Sequence, residues 1–526
     1  MAVPTAASLR EPGGYRAPAV TGLADLLDRQ VRSRPRARAL VVTGDRLELS
    51  YRALAALADD VAGRLVGAGL RRGDAVGLRC ANTAEFVVGL LGAARAGLVV
   101  APLDPALPGS QLSDRLDALG ARALLVGPGA PPAGAGASAW PLRVDLSRAG
   151  TATASLDAGT LVAPQLRGAA SEFGDRDALV LLTAGTSDRA RMVPLTHDNI
   201  AASVRGICAT YELGPGDATV AVMPFFHSHG LFATLLASLA GGGCVLLPAD
   251  GRFTAHTFWD DVRAVAATWF TAVPAVHEIL LDRSERDYPG PQAAPLKFVR
   301  SSSAPLNTAT QRALERTFGA PLLSAYGMTE TSHQATSEPL PQHGLLKNAS
   351  VGRPTGLALR VVDEQGHTCP PGVEGEVWVH GPTVARGYLA GPAETARSFT
   401  DGWFRTGDLG ALDEDGHLCL TGRIKNLIHR GGEKISPEYV EDILAGYPGV
   451  VEAAVFALPD ATYGQRVGAA VVVRTDEPVG SAEILRYCQG RLAAFEVPDR
   501  LEVVAALPHT AKGGLDRQAV DALFAR

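Results

Sequence analysis

Leu181-Leu182-Thr183-Ala184-Gly185-Thr186-Ser187-Asp188-Arg189-Ala190-Arg191 follows a strand-like run and is dense in small and hydroxyl-bearing residues. Small side chains let backbone N–H groups approach a phosphate, and hydroxyls add further hydrogen bonds. Taken alone, the segment fits a plain strand-to-loop turn equally well. The most distinctive string is Ser324-Ala325-Tyr326-Gly327-Met328-Thr329-Glu330. Singly, Glu330 and Asp408 read as solvated surface carboxylates, and His227 beside Phe225 and Phe226 as a packed core histidine. Only an ordered set of such strings points to chemistry.

The elements that must position these residues are legible as alternating periods. Leu54, Leu57, Val61 and Leu65 recur at helical spacing, Ala75 to Leu78 is strand-like, and Ala84 to Ala96 is helical again. The alternation predicts α/β layers with largely parallel sheets. Phe86 to Leu103, interrupted by Arg95, Gly and Pro, reads as a buried helix leading into a strand, not a membrane span. Gly127 to Ala139 is a low-complexity surface loop. Near residue 425 the character changes: Gly431-Gly432, a helix Glu438 to Ala445, strands at Ala453 to Ala457 and Ala469 to Arg474, a helix Ala482 to Leu492, and a strand Leu501 to Val504. This predicts two domains, 1–424 and 425–526.

Composition narrows the function classes. With 526 residues, 46% hydrophobic and 20% charged, the chain has ample material for cores. The net charge of −6 gives no electrostatic case for a nucleic-acid partner. Cys80, Cys208, Cys244, Cys369, Cys419 and Cys488 lack CxxC pairs and read as reduced thiols. The N-terminus carries no apolar signal-peptide core, so the expected location is the cytoplasm, without a membrane. Oligomeric state is left open.

Together with the phosphate loop, the Ser324–Glu330 string resembles the adenylate-forming superfamily of acyl-CoA synthetases, luciferases and nonribosomal adenylation domains. The resemblance runs from about Leu23 to Arg517. It includes Met223-Pro224-Phe225-Phe226-His227, Ser303-Ala304-Pro305-Leu306, Gly375-Glu376-Val377, Trp403-Phe404-Arg405-Thr406-Gly407-Asp408 and Gly422-Arg423-Ile424-Lys425, in the family's order. It implies an α/β fold: a large N-terminal domain of layered sheets with a barrel-like subdomain, and a small mobile α+β C-terminal domain. It also implies an AMP-forming ligase using ATP, Mg²⁺ and, as a possible acceptor, CoA. Thr183, Ala184, Gly185, Thr186, Ser187 and Arg191 would hold phosphates, with Thr186 also near the metal. Thr329 would contact the α-phosphate, where charge builds during attack, and Glu330 would hold Mg²⁺. Asp408 would accept both ribose hydroxyls beside Arg423, and Ser303, Ala304, Pro305, Tyr326, Gly327 and Met328 would line the nucleotide slot. His227 would sit between nucleotide and substrate, and Lys425 would be the hinge.

Four positions depart from the family. The phosphate loop's last glycine is Asp188, its proline Ala190 and its lysine Arg191, which exchanges a point charge for a planar fork. A carboxylate at about 5 Å from a phosphate charge, at an effective dielectric near 20, repels it by roughly 3 kcal/mol. Near the C-terminus, Pro508-His509-Thr510-Ala511-Lys512-Gly513-Gly514 has glycine at the family's final lysine. Losing one charged transition-state contact costs a factor of about 10² to 10³. Lys512, two residues earlier, lies on the same side of an extended chain at roughly 6.6 Å and is the candidate replacement. The Gly431-Gly432-Glu433-Lys434-Ile435 loop of the thioester-forming step is intact.

Ser228-His229-Gly230 and Thr331-Ser332-His333-Gln334 resemble the oxalyl-CoA synthetase branch, which implies a compact polar pocket for a small acid, with His229, Ser302 and His333 facing it. An apolar tunnel would suit a fatty acid instead. Two alternatives stay open: a diazotase that activates nitrite with ATP, and a nucleotide-binding pseudoenzyme.

Overall fold

Ser50 accepts a hydrogen bond from the Ala53 N–H and so starts helix Tyr51–Gly67, which turns Leu54, Leu57, Val61 and Leu65 into the core. Strand Ala75–Arg79 follows, buried at every residue. Helix Ala84–Arg95 is buried everywhere except its last residue and feeds strand Val99–Leu103. A helix enclosed on all sides needs no polar stripe, which is why its sequence looks almost membrane-like. The computed structural model describes residues 15–43, 47–130, 139–147, 151–162, 173–183, 191–344, 346–347, 349–474, 479–510 and 514–524.

These elements join a seven-stranded sheet in the order Ala152–Leu156, Ala139–Leu146, Ala123–Val126, Ala75–Arg79, Val99–Leu103, Asp177–Thr183, Arg191–Thr196. Its centre is parallel and an antiparallel pair closes each edge. The phosphate loop joins the last two strands, where Thr183 pairs with Arg191. Its residues Ala184, Gly185, Thr186 and Ser187 lie outside the described residues. A second, five-stranded sheet carries the parallel strands Trp269–Ala272, Phe298–Ser301 and Leu322–Tyr326. Where the barrel-like subdomain is expected, the strands Ala358–Val362, Gly375–His380, Trp403–Leu412 and Leu418–Arg423 belong to an open antiparallel sheet of five strands.

The single turn Ile424–Asn426 then leads into the last sheet. There, strands Val450–Asp460 and Gly464–Val473 pair along their length, and Arg500–Val504 adds in parallel. Ile428, Val440, Leu444, Val455, Val471 and Ile484 belong to a core cluster of their own. The predicted helix to Leu492 stops at Gln489, before Gly490. The hairpin Ile428–Arg430 and Glu433–Ile435 around Gly431-Gly432 was not predicted, because three-residue strands are too short to show a period. Both glycines there take left-handed φ, 59° and 97°. Among the described residues, no helix is long and apolar enough to cross a membrane.

Candidate active site

Adjacent parallel strands set the site. Loop Ser302–Pro305 leaves the carboxyl end of Phe298–Ser301, and loop Gly327–Glu330 leaves that of its neighbour Leu322–Tyr326. Carboxyl ends of parallel strands are where such sheets bind ligands. The two strings separated by about twenty residues in sequence therefore emerge side by side. Ser303, Ser332 and His333 all take left-handed φ (76°, 52° and 84°), a strained choice for residues with side chains. Gly327 permits the close return of this chain: a Cβ there would meet the His333 carbonyl oxygen at 1.6 Å.

At one end lies a carboxylate-rich group. Asp408, 3% exposed, accepts from Tyr326 Oη at 2.6 Å and pairs with Arg423 Nε at 2.7 Å. Burial pushes its carboxyl up, while Arg423 and the Tyr326 hydroxyl pull it back. Both oxygens thus already have a protein partner, each keeping a lone pair for a ligand. Glu330, in the turn Thr329–Thr331, is also buried and accepts from Tyr388 Oη at 2.8 Å. Burial raises its carboxyl; Tyr388 and the more distant Arg191 and Arg423 oppose the rise. The Arg191 guanidinium lies 5.2 Å from the Tyr388 ring centroid. A buried carboxylate of this kind fits Mg²⁺, which is commonly held by one or two carboxylates plus substrate phosphates. Among the described residues there is no group of three His, Cys, Asp or Glu side chains that could hold a metal ion. Thr329 and Met328 are half-buried beside Glu330.

At the other end is a buried cation. The register places Thr271 and Arg300 opposite one another on paired strands. Arg300 is fully buried, and its five N–H donors are all used. Nε donates to Tyr211 Oη at 2.7 Å; one terminal nitrogen donates to His229 Nε2 at 3.2 Å and Thr271 Oγ1 at 3.1 Å. The other donates to His333 Nε2 at 3.0 Å and Gln334 Oε1 at 3.1 Å. Because a guanidinium only donates, both imidazoles must present Nε2 as acceptor and carry their proton on Nδ1. His229 Nδ1 then donates to Ser303 Oγ at 3.0 Å. The two rings stack at 5.0 Å, and burial, with the neighbouring cation, holds both far below the ordinary histidine range. They are neutral at physiological pH.

His229 opens the π-helix His229–Leu236, and its N–H donates to His227 Nδ1 at 3.3 Å. Ser302 is buried, Ser303 and Pro305 are exposed, and Ala304 is half-buried. The structure therefore brings His229, Ser302, Ser303 and His333 together, and separately Tyr326, Glu330, Asp408 and Arg423. Lys425 is exposed in the turn Ile424–Asn426. Lys512 lies outside the described residues. Of the described residues on either side of it, the Thr510 N–H donates to the Gly514 carbonyl at 2.8 Å. Arg300, Tyr211 and Tyr388 were missed. The signal for Arg300 was present: a lone arginine inside Phe298-Val299-Arg300-Ser301.

The chain matches the model of the AMP-binding enzyme family over residues 27–389 and that of the AMP-binding enzyme C-terminal domain over 439–513. It is 42% identical to an oxalate–CoA ligase of Arabidopsis thaliana, covering 95% of this chain and 98% of that protein. It is 35% identical to a sulfoacetate–CoA ligase of Cupriavidus necator, covering 89% and 91%. The ATP-bound structure of MatB from Rhodopseudomonas palustris superposes with a TM-score of 0.83 at 29% identity, covering 96% and 99%. The nitrite-activating and pseudoenzyme alternatives find no support in these relatives.

Proposed function

The chain belongs to the AMP-binding enzyme family, and from that premise we propose that it is an AMP-forming ligase that activates a small acid and transfers it to CoA. The AMP-forming CoA ligases of this family use ATP, Mg²⁺ and CoA. The observation that carries the reading is the pairing of buried carboxylates (Glu330, Asp408) with a buried polar cluster (His229, His333 and Arg300) near adjoining strand ends.

In the first half-reaction a carboxylate oxygen of the acid attacks the α-phosphorus of ATP, and the bond to the departing pyrophosphate breaks. Thr329 hydrogen-bonds the α-phosphate as its charge grows. Asp408 accepts from the ribose hydroxyls while Arg423 and Tyr326 hold its carboxylate in place. Glu330 and Thr186 would hold Mg²⁺, which would supply neutralisation of phosphate charge. Thr183, Ala184, Gly185, Ser187 and Arg191 hold the phosphates, and Ser303, Ala304, Pro305, Gly327 and Met328 border the adenosine. In the second half-reaction the CoA thiolate sulfur attacks the acyl carbon and AMP leaves; His227 is assigned the place between nucleotide and substrate. Residues 425–526 form the small domain, turning about Lys425 between the half-reactions.

The test is product analysis with oxalate, sulfoacetate, acetate and nitrite, each with and without CoA. Pyrophosphate, AMP and an acyl-CoA are expected. ADP with phosphate, or a diazo product from nitrite and an arylamine without any acyl-CoA, would displace this reading.

A further inference from the structure

Three segments far apart in sequence meet where the sheet of Tyr326 joins the sheet of Asp408. Strand Thr336–Ser337 pairs with Leu322–Tyr326 on one side and with Arg353–Pro354 on the other. Just before Arg353 the chain also pairs with the other sheet. The Val351 N–H donates to the Leu418 carbonyl and the Leu418 N–H to the Gly352 carbonyl, each at 2.8 Å. Gly352, at a left-handed φ of 79°, permits this close passage: a Cβ there would meet the Ser337 carbonyl carbon at 1.8 Å.

Each segment leaves one polar side chain inside the joint. Glu338, Ser350 and His417 are 1%, 3% and 1% exposed. His417 Nδ1 lies 3.3 Å from Glu338 Oε1 and 3.4 Å from Ser350 Oγ, which itself accepts from the Gly352 N–H at 2.8 Å. A carboxylate only accepts, so the proton between Glu338 and His417 sits on Nδ1. From outside, Asp413 Oδ1 accepts from the His417 N–H at 2.9 Å, and Lys347 pairs with Asp413. Glu338 Oε2 is buried without a hydrogen-bond partner among the described residues. Apolar side chains would fill this joint at less cost, and the best-attested use of such a buried pair is to specify which segments meet, and in what register.

The register specified here is the one the nucleotide site needs. Tyr326 lies opposite Thr336, two residues before Glu338. Arg423 ends the strand that His417 precedes, and lies opposite Asp408 on the neighbouring strand. From Tyr326 the path runs to Glu338, across to His417, along Leu418–Arg423 to Asp408, and back through the Tyr326 hydroxyl at 2.6 Å. The loop is closed by a hydrogen bond at each crossing between the sheets.

We propose that Glu338 and His417 are positioning residues for ribose recognition: their pairing holds the strands of Asp408 and Arg423 against the strand of Tyr326, which aims the Asp408 carboxylate at the ribose hydroxyls. The inference rests on the assignment of Asp408 to the ribose in the ligase reading above. Glu338 and His417 act through Asp408 and Tyr326, and selectivity for a ribonucleotide passes through the joint.

Calorimetric binding of ATP and of 2′-deoxy-ATP to the full chain with Mg²⁺, without any acid, tests this without turnover. The wild type is expected to bind ATP about 10- to 100-fold more tightly, the scale of a hydrogen bond to a charged group. Glu338→Leu combined with His417→Phe removes both polar partners at similar volume and should bring that ratio close to one. Glu338→Gln, whose amide oxygen still accepts from Nδ1, should keep most of it. A purely structural role would weaken both nucleotides alike and leave the ratio of the double variant unmoved, which overturns the proposal, as does a ratio near one in Glu338→Gln. Should the double variant lack a cooperative melt, His417→Gln decides. Its amide stands where Nε2 was, out of reach of Glu338, so a wild-type ratio in that variant overturns the proposal. Asp408→Ala separates the inference from the reading beneath it. A ratio unmoved by Asp408→Ala sinks the ribose assignment and the inference together. A ratio lost in Asp408→Ala but kept in the double variant removes Glu338 and His417 alone.

Discussion

Glu330 and Tyr388 show how a single side chain trades stability for chemistry. Burial raises the Glu330 carboxyl above its ordinary value, so the folded state holds that proton more tightly than the unfolded chain. The sign follows: stability from this group is full at low pH and is lost as pH rises through the folded pKa. Glu330→Gln, which cannot ionise, is therefore expected to melt higher than the wild type at pH 8 without ligands, with the gap closing by pH 4. The same variant should form pyrophosphate at least about 10-fold more slowly, because a Mg²⁺ ligand is gone. An unchanged melting temperature at pH 8 would contradict the first part. Tyr388→Phe keeps the ring under Arg191 but removes the 2.8 Å hydrogen bond to Glu330. Loss of a partner that orients a metal ligand costs about 10- to 100-fold in metal affinity or activity. Titrating Mg²⁺ against turnover measures it, and the loss should shrink at high Mg²⁺.

At the scale of elements, the site depends on where strands end and how sharply the chain turns back. Gly327 closes strand Leu322–Tyr326 and lies against the carbonyl of His333, whose own φ of 84° aims its ring at Arg300. Gly327→Ala forces those backbones apart. Overpacking of this kind costs about 1 to 3 kcal/mol, and denaturant unfolding is expected to show it. Because the displaced residue is His333, turnover should fall further than stability does. Wild-type turnover in a destabilised Gly327→Ala variant would separate His333 from the reaction.

For the whole molecule, the expectation concerns how the last sheet moves relative to the rest. Lys425→Pro locks φ in the turn Ile424–Asn426. It should slow one half-reaction by about 10-fold or more while leaving the other near normal, since a gating motion sets the rate of the step it precedes. Assaying adenylate formation and thioester formation separately checks this; normal rates for both would remove Lys425 as the hinge. Lys512→Ala should slow adenylate formation by about 10² and spare the second step run from a pre-formed adenylate, with Gly514→Lys restoring the first. No effect of Lys512→Ala would mean that adenylation proceeds without a lysine from this segment.

The order of the motifs from Thr183 to Lys425, together with the alternating helix and strand periods, was enough for fold class, ATP chemistry and a small polar acid. Those features are local: a buried helix such as Ala84–Arg95, a glycine-punctuated turn and a six-residue string carry their physics within a few neighbouring positions. The hairpin around Gly431-Gly432 escaped because its strands are three residues long. Arg300 escaped for a deeper reason. In the chain it is one arginine among many, between Val299 and Ser301, and nothing beside it says whether it faces water, a carboxylate or neutral groups. Its acceptors come from residues as distant in sequence as Tyr211 and Gln334, gathered by the register of parallel strands and the left-handed turn at His333. Whether a charge is balanced depends on everything within a few ångströms of it in space, and only the tertiary structure decides that.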